Sequence, residues 1–518
     1  MSGYPPRLSA RLFAQLGIAE AAFEVDALLI RASRALAAAE KESLLRHAAA
    51  NGYAATRIAY LPADKTDALE AVRVRLLATR SQLERTAAAA AEACRQAAAS
   101  GRPETLDEGL IGGLVTEILA HAAAKDASDV HLVHERDIGT SHVAFRIDSF
   151  VEERVDLDSD LANRLVRRIK LAADLDFAET SRPQDGRVSL KLDRRSLDIR
   201  ISSVPSVTGE SLGLRLLDQS AKVGLGDLFG DRIGTRARLM SVAEPHAKTG
   251  GLVVLSGPTG SGKTTTLRAM LLAVDRQRRR VVTLESPVEY RIEGTLQIEW
   301  DEESKDEVAA SLLRQDPDVV VIGEVRDSAG AELALKAADS GHPVFFTLHA
   351  NRAAASLQRF LSLVPPERHR FAALVLAENL AGLVNQRLLR RLCPDCAVAL
   401  SSPSAALAAF GAEVLAVDAS ETRVARPGGC AACRSTGYRG RTMIAEEIFV
   451  DRSGLEDGVD DLAQHFLDGR AGVPEGFAAR TPFVSDLRRL VSEGAIELEV
   501  ARSVSDAIGI GRRSPART

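Results

Sequence analysis

Residues 252–268 read Leu-Val-Val-Leu-Ser-Gly-Pro-Thr-Gly-Ser-Gly-Lys-Thr-Thr-Thr-Leu-Arg. Leu252–Leu255 has the apolar character of a strand buried on both faces. Gly257, Pro258, Thr259, Gly260, Ser261, Gly262, Lys263 and Thr264 then follow the pattern G-x-x-x-x-G-K-[ST], with Thr265 opening a helix-forming stretch. Glycines let the backbone turn tightly and aim successive N–H groups at an anion. The helix that follows adds unpaired N–H groups and the positive end of its dipole. Lys263 can reach β- and γ-phosphates, and the Thr264 hydroxyl can ligate Mg²⁺. The chemistry implied is nucleoside triphosphate binding, with ATP and Mg²⁺ as ligands.

Such a site needs a second half. Leu313–Asp327 contains the apolar strand Val319-Val-Val-Ile322, followed by Gly323 and Glu324. A carboxylate there can hold the magnesium shell or polarise a water, in chemistry that is mainly positioning and electrostatics. Glu324 is the expected key acid. Two further apolar runs, Val281–Glu285 and Pro343–Thr347, place Glu285 and His349 at comparable strand ends. Helical stretches, such as Lys305–Gln315 and Ser328–Asp339, separate these runs, so a parallel sheet covered by helices is expected. Its ligand belongs at the carboxyl ends of the strands.

Four of the five cysteines form two pairs, Cys393-Pro-Asp-Cys396 and Cys430-Ala-Ala-Cys433. Two such knuckles suit a closed tetrahedral Zn²⁺ site, structural rather than catalytic because four thiolates leave no open position. The fifth, Cys94, lies among Ala, Glu and Arg and reads as an ordinary thiol.

The elements that must carry these groups follow from the rest of the 518 residues, a length that predicts several domains. Alanine-rich residues 1–100, with helical spacing over Thr66–Arg95, predict a small helical N-terminal domain that could serve as a docking module. Ala98–Glu104 reads as a linker. Residues 106–220 alternate helix and strand and predict an α+β domain with an antiparallel sheet. It has helices over Leu110–Ala124 and Leu161–Ala173, and its strands carry Arg146, Arg187, Arg200 and Arg215. After a linker near Asp218–Asp231 come the ATPase core over 232–390 and the cysteine element over 391–446. Helical character is expected over Ser401–Val424, in a C-terminal region over 447–508, and across Val484–Val491; a polar tail occupies 509–518. The net charge of -5 argues against a nucleic-acid partner. No apolar run of eighteen predicts a membrane span, and no signal-peptide core opens the chain. A cytoplasmic location is expected.

Several motifs recur in an order that resembles the secretion ATPases powering type II secretion and type IV pilus assembly, over roughly residues 106–500. These are Gly257–Thr264; the acidic box Thr283-Leu-Glu-Ser-Pro-Val-Glu-Tyr290; Leu313–Asp327; and the histidine box Gly341–His349. Upstream, Ala127–His131, Phe145–Asp148, Arg182–Arg187 and Pro205–Leu217 also match. The tetracysteine element resembles that of the zinc-containing assembly branch. The resemblance implies an α/β, RecA-like core behind a PAS-like α+β domain. It also implies catalytic roles for Glu324, Glu285, Glu289 and His349, and arginines Arg146, Arg187, Arg200 and Arg215 that reach the phosphates. It further implies a homohexamer on the cytoplasmic face of the inner membrane, a polytopic platform protein as partner, and a cytoplasmic adaptor met through the N-terminal domain.

The chain departs from the family at Ser286, where aspartate is usual, and at Ala350, where threonine is usual. Residues 1–100 match no family pattern. Two other readings stand beside the assembly motor. A conjugation or nucleic-acid ATPase conflicts with the acidic balance and the cysteines. A nucleotide-binding scaffold with little turnover has only Ser286 in its favour.

Overall fold

A computed structural model describes the strands Ile18–Glu24 (β1), Ala27–Ala32 (β2) and Thr56–Tyr60 (β3) and residues 80–99, 108–135, 141–192, 195–220, 223–230, 232–242, 251–300, 304–430, 432–451, 458–470, 472–474 and 478–510. The linker expected at Ala98–Glu104 lies largely outside these residues, as do most of Thr66–Arg95 before Arg80 and the tail beyond Ile510. The chain divides into two units, Met1–Ala221 and Lys222–Thr518.

In the first unit, β1 pairs antiparallel with β2, and β2 pairs parallel with β3. The first hundred residues therefore hold a sheet as well as the helix Arg80–Ala99. Alanine content favours helix, but short apolar runs such as Ala27-Leu-Leu-Ile gain more from strand pairing than local propensity costs. A second, antiparallel sheet comprises Asp129–Glu135 (β4), His142–Ile147 (β5), Phe150–Asp156 (β6), Gln184–Leu192 (β7), Arg195–Pro205 (β8) and Gly209–Asp218 (β9), in the order β6-β5-β4-β9-β8-β7. Alternate residues Val130, Leu132, Phe145, Ile199, Ile201, Leu212 and Leu214 point to one face. There they meet Leu114 and Ile118 of helix Glu108–Ala124 and Leu161, Leu165 and Ile169 of helix Ser159–Ala172. The second helix starts where Asp158 accepts from the N–H groups of Asp160 and Leu161. Cys94 is buried in this core, and burial pushes its thiol up.

The second unit is built on an eight-stranded sheet. Its strands are Gly251–Ser256 (β10), Val281–Glu285 (β11), Thr295–Glu299 (β12), Val319–Ile322 (β13), Pro343–Leu348 (β14), Leu380–Leu392 (β15), Tyr438–Val450 (β18) and Ala478–Thr481 (β19). The order is β12-β11-β13-β14-β10-β15-β18-β19. Strands β10 to β15 run parallel, whereas β15–β18 and β18–β19 pair antiparallel. Both faces are covered. Leu252, Val254, Ile322 and Phe346 pack with helices Ser328–Asp339 and His369–Asn379. Val253, Leu255, Val321 and Phe345 pack with helix Lys263–Ala273. This double burial explains why the strands read as continuous apolar runs.

Between β15 and β18, the cysteine knuckles bracket a two-stranded ribbon, Val398–Ala399 (β16) with Arg423–Val424 (β17). Between those two strands lie helix Ala405–Phe410 and two irregular turns, in keeping with the helical expectation for this insert. The expected linker near Asp218–Asp231 contains the short helix Leu225–Phe229. Helices Val459–Leu467, Phe483–Ser492 and Leu498–Ile508 follow β18. Among the described residues, no helix is long and apolar enough to cross a membrane.

Candidate functional site

Strand β10 ends at Ser256, and the chain turns through Gly257 (φ 151°), Gly260 (φ 75°) and Gly262 (φ 88°) into helix Lys263–Ala273. A Cβ at Gly257 would lie 2.4 Å from the Gln386 carbonyl and 2.6 Å from Ser261 Oγ, so only glycine fits. Thr259 and Gly260 are exposed at the loop tip, and Thr264 and Thr265 are partly so. Lys263 folds back into the loop and donates from Nζ to Gly257 O at 2.8 Å and Pro258 O at 3.1 Å. Burial pulls its ammonium below the usual lysine range. An anion in the loop would compensate that cost.

The neighbouring strand ends converge on this lysine. His349 follows β14, and its Nδ1 lies 3.4 Å from Lys263 Nζ. Lysine can only donate, so Nδ1 accepts and the ring proton sits on Nε2. That nitrogen is 2.7 Å from Glu324 Oε1, just past the end of β13. The other oxygen of Glu324 accepts from Arg326 at 2.6 Å. Lys263, His349 and Glu324 therefore cluster at the carboxyl edge of the sheet, where the approach of Nε2 to Glu324 Oε1 is a close contact and not an aligned hydrogen bond.

Glu285, the last residue of β11, lies beside this cluster. Its Cγ is 3.1 Å from where a Cβ of Gly323 would stand. Its carboxyl group accepts from Thr283 Oγ1 at 2.9 Å, from Gln297 Nε2 at 3.1 Å, and from the backbone N–H of Glu289. Burial raises its pKa against these bonds. Ser286 is exposed and Glu289 half-buried. Arg268 stacks on Tyr290 with 4.2 Å from guanidinium to ring centroid, which ties the acidic box to the helix after the phosphate loop.

The first unit orders the four predicted arginines. Strand register places Arg146 of β5 opposite Asp129 of β4, Asp129 opposite Arg215 of β9, Arg215 opposite Arg200 of β8, and Arg200 opposite Arg187 of β7. Directly opposed residues share a face, so all four lie in one rank on the face away from the two helices. Arg215 donates to Asp129 at 3.1 Å and Arg146 approaches the same carboxylate at 3.8 Å. Arg187 grips Asp198 with two donors.

The four cysteines Cys393, Cys396, Cys430 and Cys433 bring their sulfurs within 4.8 Å of one another. Cys393–Cys430 and Cys396–Cys433 are 3.8 and 3.7 Å apart. A tetrahedral zinc with Zn–S of about 2.3 Å needs sulfurs about 3.8 Å apart, so the donor set fits that ion. The thiols differ in environment. Burial and the neighbouring sulfurs push Cys396 up to about 12. Burial also opposes ionisation of Cys433, but the N–H groups of Cys430 and Gly437 bring it down to about 6.

A family model described as type II/IV secretion system protein matches residues 104–460. Type II secretion system protein E of Pseudomonas aeruginosa is 38% identical over 392 residues, covering 72% of this chain and 74% of that protein. Type II secretion system ATPase E of Vibrio cholerae is 34% identical over 388 residues, covering 74% and 73%. The chain belongs to the type II/IV secretion system protein family. Among solved structures, the pilus retraction motor PilT with bound ADP shares the fold, with a TM-score of 0.50, 22% identity, and coverage of 75% of this chain and 96% of that one. The ATPase DotB of Yersinia pseudotuberculosis does so with a TM-score of 0.51, 19% identity, and coverage of 77% and 94%.

Of the residues singled out from sequence, the phosphate loop, Glu324 and His349 come together directly, and Glu285 flanks them. Glu289 contributes its backbone to Glu285. Sequence reasoning missed Arg326, Gln297 and the pair Asn385-Gln386 on β15. The one available signal for that pair was the uncharged polar dipeptide that directly follows the apolar run Leu380–Val384.

Proposed function

We propose that the chain is a Mg²⁺-dependent ATPase that powers assembly of a type IV pilus or a type II secretion pseudopilus by driving an inner-membrane platform protein. The reading rests above all on the convergence of Lys263, His349 and Glu324 at the ends of three parallel strands. In it, the backbone N–H groups of Gly257–Thr265 and Lys263 Nζ hold the phosphates, and the Thr264 hydroxyl orients Mg²⁺. Glu324, released from Arg326 or His349, polarises the attacking water. His349 faces the γ-phosphate. Glu285 and Glu289 shape the acidic wall beside it. Arg146, Arg187, Arg200 and Arg215 add positive charge to the phosphates as the α+β domain moves. The four cysteines hold a structural Zn²⁺. The working form is a homohexamer on the cytoplasmic side of the inner membrane, with residues 1–100 meeting an adaptor and no nucleic acid involved. The domain limits 1–100, 106–220, 232–390, 391–446 and 447–508 belong to the same proposal.

Steady-state hydrolysis by the full chain, alone and with the cytoplasmic part of a platform protein, tests it. Turnover that rises with the platform and falls at least about 100-fold in Glu324→Gln is expected. Binding of ATP without turnover under all these conditions would leave a nucleotide-dependent scaffold. Ser286→Asp would then be the first variant to make.

A further inference from the structure

Strand β15 runs beside β10 with Ser256 opposite Asn385, so its next residue, Gln386, lies under the phosphate loop. Asn385, Gln386, Ser256 and Ser356 are all at most 1% exposed. Three polar side chains in a sheet of apolar strands, with Ser356 of the helix Ala353–Leu361 against them, are costly unless they are bonded for a purpose. Gln386 Nε2 donates to Ser261 O at 2.8 Å, and its own carbonyl oxygen stands where a side chain on Gly257 would be. It therefore braces the loop near both ends. Asn385 Nδ2 donates to Ser256 Oγ at 2.8 Å and to Ala350 O at 2.9 Å, the residue after His349. The carbonyl partners fix the orientation of both amides.

The clamp on the histidine loop extends further. Arg387 donates to Asn351 O at 3.2 Å. Glu446 lies opposite Asn385 in the β15–β18 pair. It accepts from Arg352 at 3.2 Å and from the N–H of Ala353 at 2.7 Å. Four consecutive residues after His349 are thus held by two adjacent strands, and one of those strands also carries the brace of the phosphate loop. Asn385 Oδ1 and Gln386 Oε1 are buried with no hydrogen-bond partner among the described residues, an expense that packing alone does not explain.

We propose that Asn385 and Gln386 are positioning residues. Gln386 holds the phosphate loop in its binding shape, and Asn385 sets the distance of His349 from Lys263. This rests on the ATPase reading for its kinetic half only. The test uses the full chain with the near-isosteric variants Gln386→Met and Asn385→Leu. Both remove an unsatisfied acceptor but also the donor to a backbone carbonyl, so a purely structural role predicts a change in thermal stability alone, with unchanged nucleotide handling. Positioning predicts folded proteins with divided effects. Gln386→Met weakens binding of a fluorescent ATP analogue at least about tenfold. Asn385→Leu lowers kcat about tenfold with KM within about twofold, and it causes no further loss in a His349→Ala background. Unchanged affinity in Gln386→Met, or additive losses in the double variant, overturns the proposal. If the wild type binds ATP without turning it over, the ATPase reading falls, and the affinity of Gln386→Met alone decides the inference.

Discussion

Lys263 is the residue on which the site's chemistry turns. It donates to two backbone carbonyls and approaches His349, so its charge is held but not neutralised. Lys263→Ala should abolish hydrolysis, a loss of at least about 100-fold, and greatly weaken nucleotide binding. Unchanged turnover would remove the whole site assignment. Gly257→Ala should act differently. Its φ of 151° and the two close contacts at its position add strain of about 1–3 kcal/mol, so both thermal stability and nucleotide affinity should fall. A Gly257→Ala protein as stable as the wild type would mean that the loop can relax. These residues were legible in the sequence because a local motif carries their meaning. Asn385 and Gln386 were not. Their partners Ser256 and Ser261 lie 129 and 125 residues away, and only the lateral order of strands brings them together.

The same contrast holds for whole elements. Strands β10, β11, β13 and β14 stood out because burial on both faces demands apolar runs. Strand β6 did not, because Val155 alone of its seven residues is buried. Short β12, with no fully buried residue, escaped notice for the same reason. In the α+β domain, β6 is nonetheless pinned by charge. Glu153 meets buried His121 at 2.8 Å and also Lys125. Burial opposes ionisation of Glu153, yet these two partners hold its pKa down to about 2. The depressed value means stability that is present above the ordinary value of 4.5 and lost as pH falls through about 2. Glu153→Gln should therefore unfold more easily in urea at pH 7, with the gap to wild type closing across that acid window. A gap independent of pH would contradict the pairing. The cysteine element has its own test. Metal analysis should find about one zinc per chain, and a chelator should open residues 393–437 to proteolysis. Metal-free protein equally resistant there would show that the fold alone holds the knuckles.

Across the molecule the formal charge is -5, yet the sheet of the first unit gathers four guanidiniums in one rank. Asp129 is shared by Arg146 and Arg215, and Asp198 serves Arg187. Arg200 stands directly opposite Arg187 on one side and Arg215 on the other. Like charges so placed repel. The rank therefore concentrates positive charge on one face of the sheet, to which a polyanion would be drawn. Inorganic pyrophosphate should therefore raise the melting temperature even without a nucleoside, and Arg200→Gln should blunt that response; an undiminished response would show that the rank takes no phosphate. Phosphate bound there would tie the firmness of the fold to the presence of its ligand.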